Sequence, residues 1–408
     1  MSYKFVKITT YYREYLKEYY QKNPQLASLS FDEQLQHLMA QAYGWSDYFA
    51  THFRTIGVEA FEIVSNAKPL QQAWAKENGV SGNDDDIVLA QLKKLQPEVI
   101  FFQDSLKFGS AFVKRVREEI SSVKLMLGWC CTVYSDENID EFRAFDFMMV
   151  CSEHYAADFR RRGFKVFQMH HAFETSLLPR IQENNNYPEN DFTFIGSLIP
   201  GSEFHMFRQQ LIEHLIKSNI GLEIFANLTV IPPLDLFLRR SAYIINLLFK
   251  SVGLKNLAYH LPLVNKAYTL KEMPYNFKNV SAIQRIAKPP IYGIEMFKAL
   301  SKSKIGFNVH GDGAGEYAAN VRMFEVAGVG SCMLTDWKKN MNELFEEDKE
   351  VVLFRSTEEC KEKLHWLLDH PKERKEIAER GQQRILKSHT YKHRAEQLHE
   401  IIISQLRT

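Results

Sequence analysis

The 408-residue sequence lacks the marks of several protein classes. No apolar run approaches the roughly 18 residues that a bilayer-spanning helix requires. The N-terminus, MSYKFVKITTYY, carries lysines but no continuous apolar segment behind them, which argues against a secretory signal. Cysteine is scarce: five residues, an odd number without C-x-x-C spacing, speak against a disulfide framework and against a zinc site. Of the adjacent pair Cys130 and Cys131, one is expected to be buried as a small apolar residue. Charge of one sign is also missing. With 51 Lys and Arg against 50 Asp and Glu the net charge is +1, so nothing points to nucleic acid as the main partner. No internal repeat is visible. These absences leave a cytoplasmic protein as the expectation.

What is present is ordinary globular material, 45% hydrophobic and 25% charged. The length exceeds one core and predicts two domains of roughly 150–200 residues. The most informative stretch is Ile305 to Asp336, IGFNVHGDGAGEYAANVRMFEVAGVGSCMLTD. A short apolar run to Val309 reads as a strand, and Gly311, Gly313 and Gly315 free the backbone to turn amide groups toward an anion. Helix formers begin near Tyr317, and Gly328 and Gly330 mark a stop before a second strand, Ser331 to Thr335. A helix starting beside such a loop offers bare N–H groups and a positive dipole end, which suits a diphosphate. Asn320 and Arg322 are placed in the first turn, within reach of phosphate oxygens. Glu325, one turn deeper, is positioned to accept both hydroxyls of a ribose. The bland alternative makes Arg322 and Glu325 an exposed intrahelical pair worth about 0.2–0.5 kcal/mol.

Along the rest of the chain, strands alternate with helices and no hairpin signal appears, which predicts open parallel sheets. The expected organisation is a first Rossmann-like domain over 1–180 and a second over 191–390. A helical insertion occupies about 228–288, and a final helix, 391–408, crosses back to the first domain. The linker is IQENNNYPEN, Ile181 to Asn190, whose composition is that of a hinge. Asp84, Asp85 and Asp86 read as a solvated helix start. In the first domain Gln103 and Asp104 follow a buried strand at the end where ligands gather. Asp136 occupies a later loop on the same expected side, and His171 belongs to a pair whose side chains point opposite ways. Tyr11, Tyr12, Tyr15, Tyr19, Tyr20, Tyr43, Trp45, Tyr48 and Phe49 either pack helix against sheet or stack on an acceptor sugar. The stretch DLFLRRSAYIINLLFKSVGLKNLAYHL, within about 234–260, reads as an interfacial helix, a packed insertion or a dimer contact.

The run NVRMFEVAGVG, with HGDGAGEY before it and SHTYKHRAEQL near the end, resembles the C-terminal domain of GT-B glycosyltransferases, nearest the spore-maturation-type, CgeB-like branch. The resemblance covers the chain from about Phe192 to the end and is looser before that. It implies an α/β fold of two Rossmann-like domains facing across a cleft. It also implies a nucleotide-diphosphate sugar as donor substrate, no permanently bound cofactor and no metal. Glu325 matches the ribose-binding glutamate of retaining relatives. Glu316 stands nine positions earlier, one more than the E-x7-E spacing. The donor set becomes Gly196, Ser197, His310, Gly311, Asp312, Gly313, Glu316, Asn320, Arg322 and Glu325. An inverting reaction also needs a base from the first domain, for which Asp104, Asp136 and His171 are the candidates. The acceptor is a glycan, a lipid-linked carrier or a protein, and the site of action is the cytoplasm or the inner face of its membrane. The rivals are an epimerase or hydrolase of nucleotide sugars on the same fold, and a non-catalytic nucleotide-binding or assembly protein.

Overall fold

The computed structural model describes residues 3–132, 134–181, 188–198, 203–218, 220–228, 231–252, 273–274, 280–310 and 315–407. Twelve strands form two parallel sheets. In the first, β1 (Lys4–Thr9), β2 (Glu59–Val64), β3 (Val99–Phe102), β4 (Leu125–Cys130), β5 (Phe147–Val150) and β6 (Val166–Gln168) lie in the order β2-β1-β3-β4-β5-β6. In the second, β7 (Asn190–Leu198), β8 (Leu222–Leu228), β9 (Ala287–Lys288), β10 (Ser303–Asn308), β11 (Cys332–Asp336) and β12 (Val352–Phe354) lie in the order β12-β11-β10-β7-β8-β9. Strands β3, β4 and β5 are buried at every position, because helices cover both faces and leave no solvated side to alternate toward. The strand order reverses between β1 and β3 in one sheet and between β7 and β10 in the other. Crevices open at the carboxyl ends of strands flanking such reversals, and there ligands bind in open α/β sheets.

Local signals explain several helix boundaries. Asn83 and Asp86 form a reciprocal capping box at the start of Asp84–Leu95, which accounts for the acidic triplet as a helix start. Thr390 and His393 do the same for Tyr391–Leu406. The helix after the glycine loop begins at Val321 rather than near Tyr317, and Asn320 is its extended N-cap. The delay has a cause. Asn340 holds Ala318 through both backbone groups, and the Lys338 ammonium donates to the Gly315 carbonyl at 3.3 Å, so residues 315–318 are tied into a turn.

The expectation of a chain without disulfides is corrected. Parallel pairing of β4 with β5 brings Cys131 and Cys151, just beyond the strand ends, to a Cα separation of 5.5 Å, and their sulfurs are bonded. Cys130 is the buried member of the adjacent pair. Most of the linker, residues 182–187, lies outside the described residues, as does the greater part of 253–279.

The two sheets meet in a seam. The Phe173 N–H donates to the His389 carbonyl at 3.0 Å, and the Tyr391 N–H donates to the Phe173 carbonyl at 3.1 Å. The helix Tyr391–Leu406 then packs beside Tyr48–Thr55 of the first sheet's layer, with Arg394 donating to the His170 carbonyl at 2.9 Å. One apolar cluster runs from Phe5 and Phe101 through Phe173 to Phe297 and Phe324. At its centre Gly328 faces the Phe173 ring, and a Cβ there would lie 2.3 Å from the ring carbon. Gly293 is a second forced glycine: its φ is +57° and a Cβ would lie 2.1 Å from the Gln41 carbonyl oxygen. Gly328→Ala is expected to cost about 1–3 kcal/mol by overpacking the seam. Urea unfolding measures it, and Phe173→Leu in the same chain should restore part of the loss.

Candidate functional site

At the second sheet's reversal, the ends of β7 and β10 are pinned by one side chain. Arg208, from the helix Glu203–Ile216, is buried and donates to the Ser197 carbonyl at 3.0 Å and the Val309 carbonyl at 2.9 Å. Its guanidinium lies 5.6 Å from the centre of the Phe194 ring. Gly196 leaves the necessary space, since a Cβ there would stand 2.8 Å from Phe194. Arg208 was not singled out from the sequence, because a lone arginine in an amphipathic helix carries no signal of what it reaches.

Beyond β10 a buried polar network shapes the approach to the helix Val321–Gly328. The Asp336 carboxylate accepts from the His310 N–H at 2.9 Å and lies 2.8 Å from His310 Nδ1. Lys338 stands 3.4 Å from the other carboxylate oxygen. Burial alone would raise the Asp336 carboxyl, but His310 and Lys338 outweigh it and hold it at about 2. Asn320 donates to the Asn308 side chain at 3.0 Å and to the Val309 carbonyl at 2.9 Å, so its amide fixes β10 to the helix start. The sequence did offer a cue to Asp336, which closes β11 at its carboxyl end.

Glu325 is buried on this helix, with Arg322 Nη1 2.8 Å from its Oε2. The pair is therefore neither exposed nor satisfied: that oxygen has no hydrogen bond among the described residues. Burial pushes the carboxyl up and Arg322 opposes the shift. Arg322 Nη1 also touches Met296 Sδ at 2.6 Å. On the facing side, burial first, and the Glu174 and Glu325 carboxylates after it, raise the Tyr48 phenol well above its ordinary range. Its hydroxyl is buried without a hydrogen-bond partner among the described residues.

In the first sheet, Asp104 stands at the reversal between β1 and β3 and accepts a hydrogen bond from Thr10. Gln103 turns inward instead, accepting from the buried Lys7 ammonium at 3.0 Å, while Lys7 also pairs with Glu62 at 3.0 Å. Burial pushes the Glu62 carboxyl to about 8, Lys7 limiting the rise. His171 follows β6 and reaches toward the other domain: its Nε2 is 3.5 Å from Cys131 Sγ, which lies 3.9 Å from the Ala319 carbonyl. Burial, with His170 and Arg394 nearby, lowers its pKa to about 3. Tyr15 stacks on Tyr43 at 3.9 Å and meets Tyr292, so most of the tyrosine set is packing; Tyr12 alone among them is 68% exposed.

Two expected members are exposed and ion-paired. Asp136 is 85% exposed and paired with Arg162, just past the far end of the helix Glu153–Arg161. Glu316 is 71% exposed and paired with Lys339, because the turn held by Asn340 carries its side chain outward. Gly311, Asp312 and Gly313 lie outside the described residues. A cavity of about 1100 Å³, lined by His52, Glu62, Trp74, Glu174 and Arg180 among others, lies along edge strand β2 and reaches Tyr48, whose phenol feels the Glu325 carboxylate. The cleft is the stronger candidate, since the polar groups converge there.

Comparison with known proteins agrees with this geometry. The model of a family described as glycosyl transferase-like matches residues 259–400, about a third of the chain. Among solved structures, an alpha-glucosyltransferase in complex with UDP and DNA shares 11% identity over 100% of both chains, with a TM-score of 0.57. Anabaena Alr3699/HepE in complex with UDP and glucose shares 11% over 98% of this chain and 100% of that one, TM-score 0.56. Sucrose-phosphate synthase from Thermosynechococcus elongatus shares 10% over 98% of both, TM-score 0.53. The fold is GT-B. No curated protein matches the chain. Within this GT-B fold, the matched segment contains β10, the helix Val321–Gly328 and the first part of the helix Tyr391–Leu406 that returns to the first sheet.

The electrostatic brace at Asp336 gives a pH-dependent prediction. Its folded pKa of about 2 lies below the unfolded value near 3.9, so it contributes stability above about pH 4 that is lost as pH falls through about 2. Asp336→Asn should lower unfolding free energy at neutral pH by about 1–3 kcal/mol. The gap from wild type should close in urea titrations carried toward the acid limit.

Proposed function

We propose that this chain is a glycosyltransferase of the hexosyl-transferring type, moving a sugar from a nucleotide-diphosphate sugar to an acceptor without a bound metal. One observation carries the reading. Glu325 is a buried carboxylate short of hydrogen bonds, one turn into the helix that starts at the second sheet's reversal, inside the segment with glycosyl transferase-like character. Two vicinal hydroxyls of a ribose are the donors that such a carboxylate lacks. The ligands in similar structures, UDP and glucose with Alr3699/HepE and UDP with the alpha-glucosyltransferase, are compatible with that donor class.

The chemical task is to hold a diphosphate as it leaves and an oxocarbenium-like centre forms. Backbone N–H groups at the start of Val321–Gly328, the helix dipole and the Arg322 cation are the groups that would meet the negative charge growing on the diphosphate, Arg322 in addition to its pairing with Glu325. Arg208 acts indirectly, fixing the two strand ends that shape the crevice. For an inverting reaction Asp104 is the better base, since it is only partly buried and sits at the first sheet's reversal. His171 is held in its neutral form by burial and is a weaker base in this arrangement. Within the class we place the chain near the spore-maturation-type, CgeB-like branch, on the run NVRMFEVAGVG. A cytoplasmic site of action at the inner membrane face fits an acceptor carried on lipid.

Glu325→Ala should weaken binding of a nucleoside diphosphate by about 1–3 kcal/mol in calorimetry while the protein stays folded. Unchanged affinity would remove the ribose assignment. Arg322→Ala should lower kcat more than it raises KM, as expected of a contact that strengthens in the transition state. Turnover should survive a chelator; loss with EDTA and rescue by Mg²⁺ or Mn²⁺ would overturn the metal-free mechanism.

A further inference from the structure

The helix Pro233–Ser251 follows β8, the neighbour of β7, and therefore emerges at the carboxyl-end rim that also bears the cleft. It is attached by one face, on which Ala242 and Asn246 are buried. The opposite stripe is apolar and open to solvent: Leu234 is 73% exposed, Phe237 65%, Leu248 61% and Val252 66%. Leu238, Ile244 and Ile245 fill the intervals, so the stripe continues at helical spacing through the whole element. Scattered exposed leucines are normal on a protein surface, but a continuous stripe of seven large apolar side chains is not.

The charge of the surrounding sequence decides what this stripe meets. Between Pro233 and Lys288 there are nine Lys and Arg and only two carboxylates, Asp235 and Glu272, in a chain whose net charge is +1. The remainder of the chain is therefore net negative. A second copy docking stripe to stripe would bring together two helices that each carry Arg239, Arg240 and Lys250 against the single carboxylate Asp235, which is repulsive. An anionic surface with an apolar interior satisfies both features at once, the stripe entering the acyl boundary while basic side chains meet headgroups.

We infer that the stripe of Pro233–Ser251 docks the protein on an anionic lipid bilayer. The inference deepens the glycosyl-transfer reading by naming lipid as the surface on which the acceptor is met, and it rests on that reading only for its purpose. Docking through this rim places the crevice at the membrane, where a lipid-linked acceptor is presented. It adds a surface contact, not a span: no described helix is long and apolar enough to cross a membrane.

The test is flotation of the full chain with vesicles of phosphatidylglycerol and phosphatidylcholine, against vesicles of phosphatidylcholine alone. Wild type should float with the anionic vesicles, less so at raised salt, and weakly with the neutral ones. Leu234→Ser, Phe237→Ser and Leu248→Ser combined should reduce partitioning by about tenfold or more. Arg239→Glu with Arg240→Glu should reduce it roughly fivefold or more per residue on anionic vesicles only. Absence of wild-type flotation at low salt would overturn the inference, as would equal flotation of the serine variant. A wild-type dimer in light scattering that the serine substitutions dissociate, without any vesicle binding, would assign the stripe to a second copy and also overturn it. Calorimetry with a nucleoside diphosphate on the same variants should show unchanged affinity. Loss of membrane docking with retained nucleotide binding separates failure of this inference from failure of the functional reading.

Discussion

The contact between Phe173 and Gly328 fixes the arrangement of everything else. Phe173 comes from the loop that leaves the first sheet, and Gly328 ends the helix bearing Arg322 and Glu325. Without a side chain at Gly328, the aromatic ring sits directly on the helix backbone, and the backbone bonds of Phe173 with His389 and Tyr391 lock the returning segment to the same point. Three chain segments thus converge at this point. Interiors pack to crystal-like density and transmit displacement rather than absorbing it. A shift of this seam would therefore move the helix, and with it the groups offered to a donor, relative to the first sheet.

Around that seam the polar groups divide into those that brace and those left unsatisfied. Arg208, Asn320, Asn308, His310 and Asp336 spend their hydrogen bonds on one another, on the Thr335 hydroxyl or on strand-end carbonyls, and this braces the second crevice. Glu325 is different: buried, ion-paired, and still short of donors. A buried polar atom left in that state costs free energy in the unliganded protein. Binding that supplies the missing donors recovers it, which is how an incomplete polar site gains selectivity for hydroxyl-bearing ligands. The disulfide between Cys131 and Cys151 lies opposite, near His171 and Ala319, and joins the ends of two strands that border the cleft.

Several side chains acquired their roles only through distance. Arg208 reaches a carbonyl 101 positions away, and Lys7 is buried in β1 because parallel pairing sets it beside Glu62 of β2. Asp136 and Glu316 take exposed, ion-paired positions for one reason: each lies in a loop whose path depends on a partner outside the local pattern, Arg162 in one case and the Asn340-held turn in the other. Cys151 carried no pairing signal, because the spacing of cysteines along a chain is silent about strand order.

The sequence by itself determined the alternation of strands and helices, their parallel arrangement, and the strand, helix and strand within Ile305 to Asp336. These follow from period, length and turn residues, all of which are local properties of a chain. For the apolar, basic stretch that begins near residue 234 it left an interfacial helix, a packed insertion and a dimer contact open. Only the tertiary structure decided that Ala242 and Asn246 face inward while the apolar stripe stays open, and that the Arg322–Glu325 pair is buried rather than solvated. Burial is set by what packs against a residue from elsewhere in the chain, and local pattern fixes only which residues share a face.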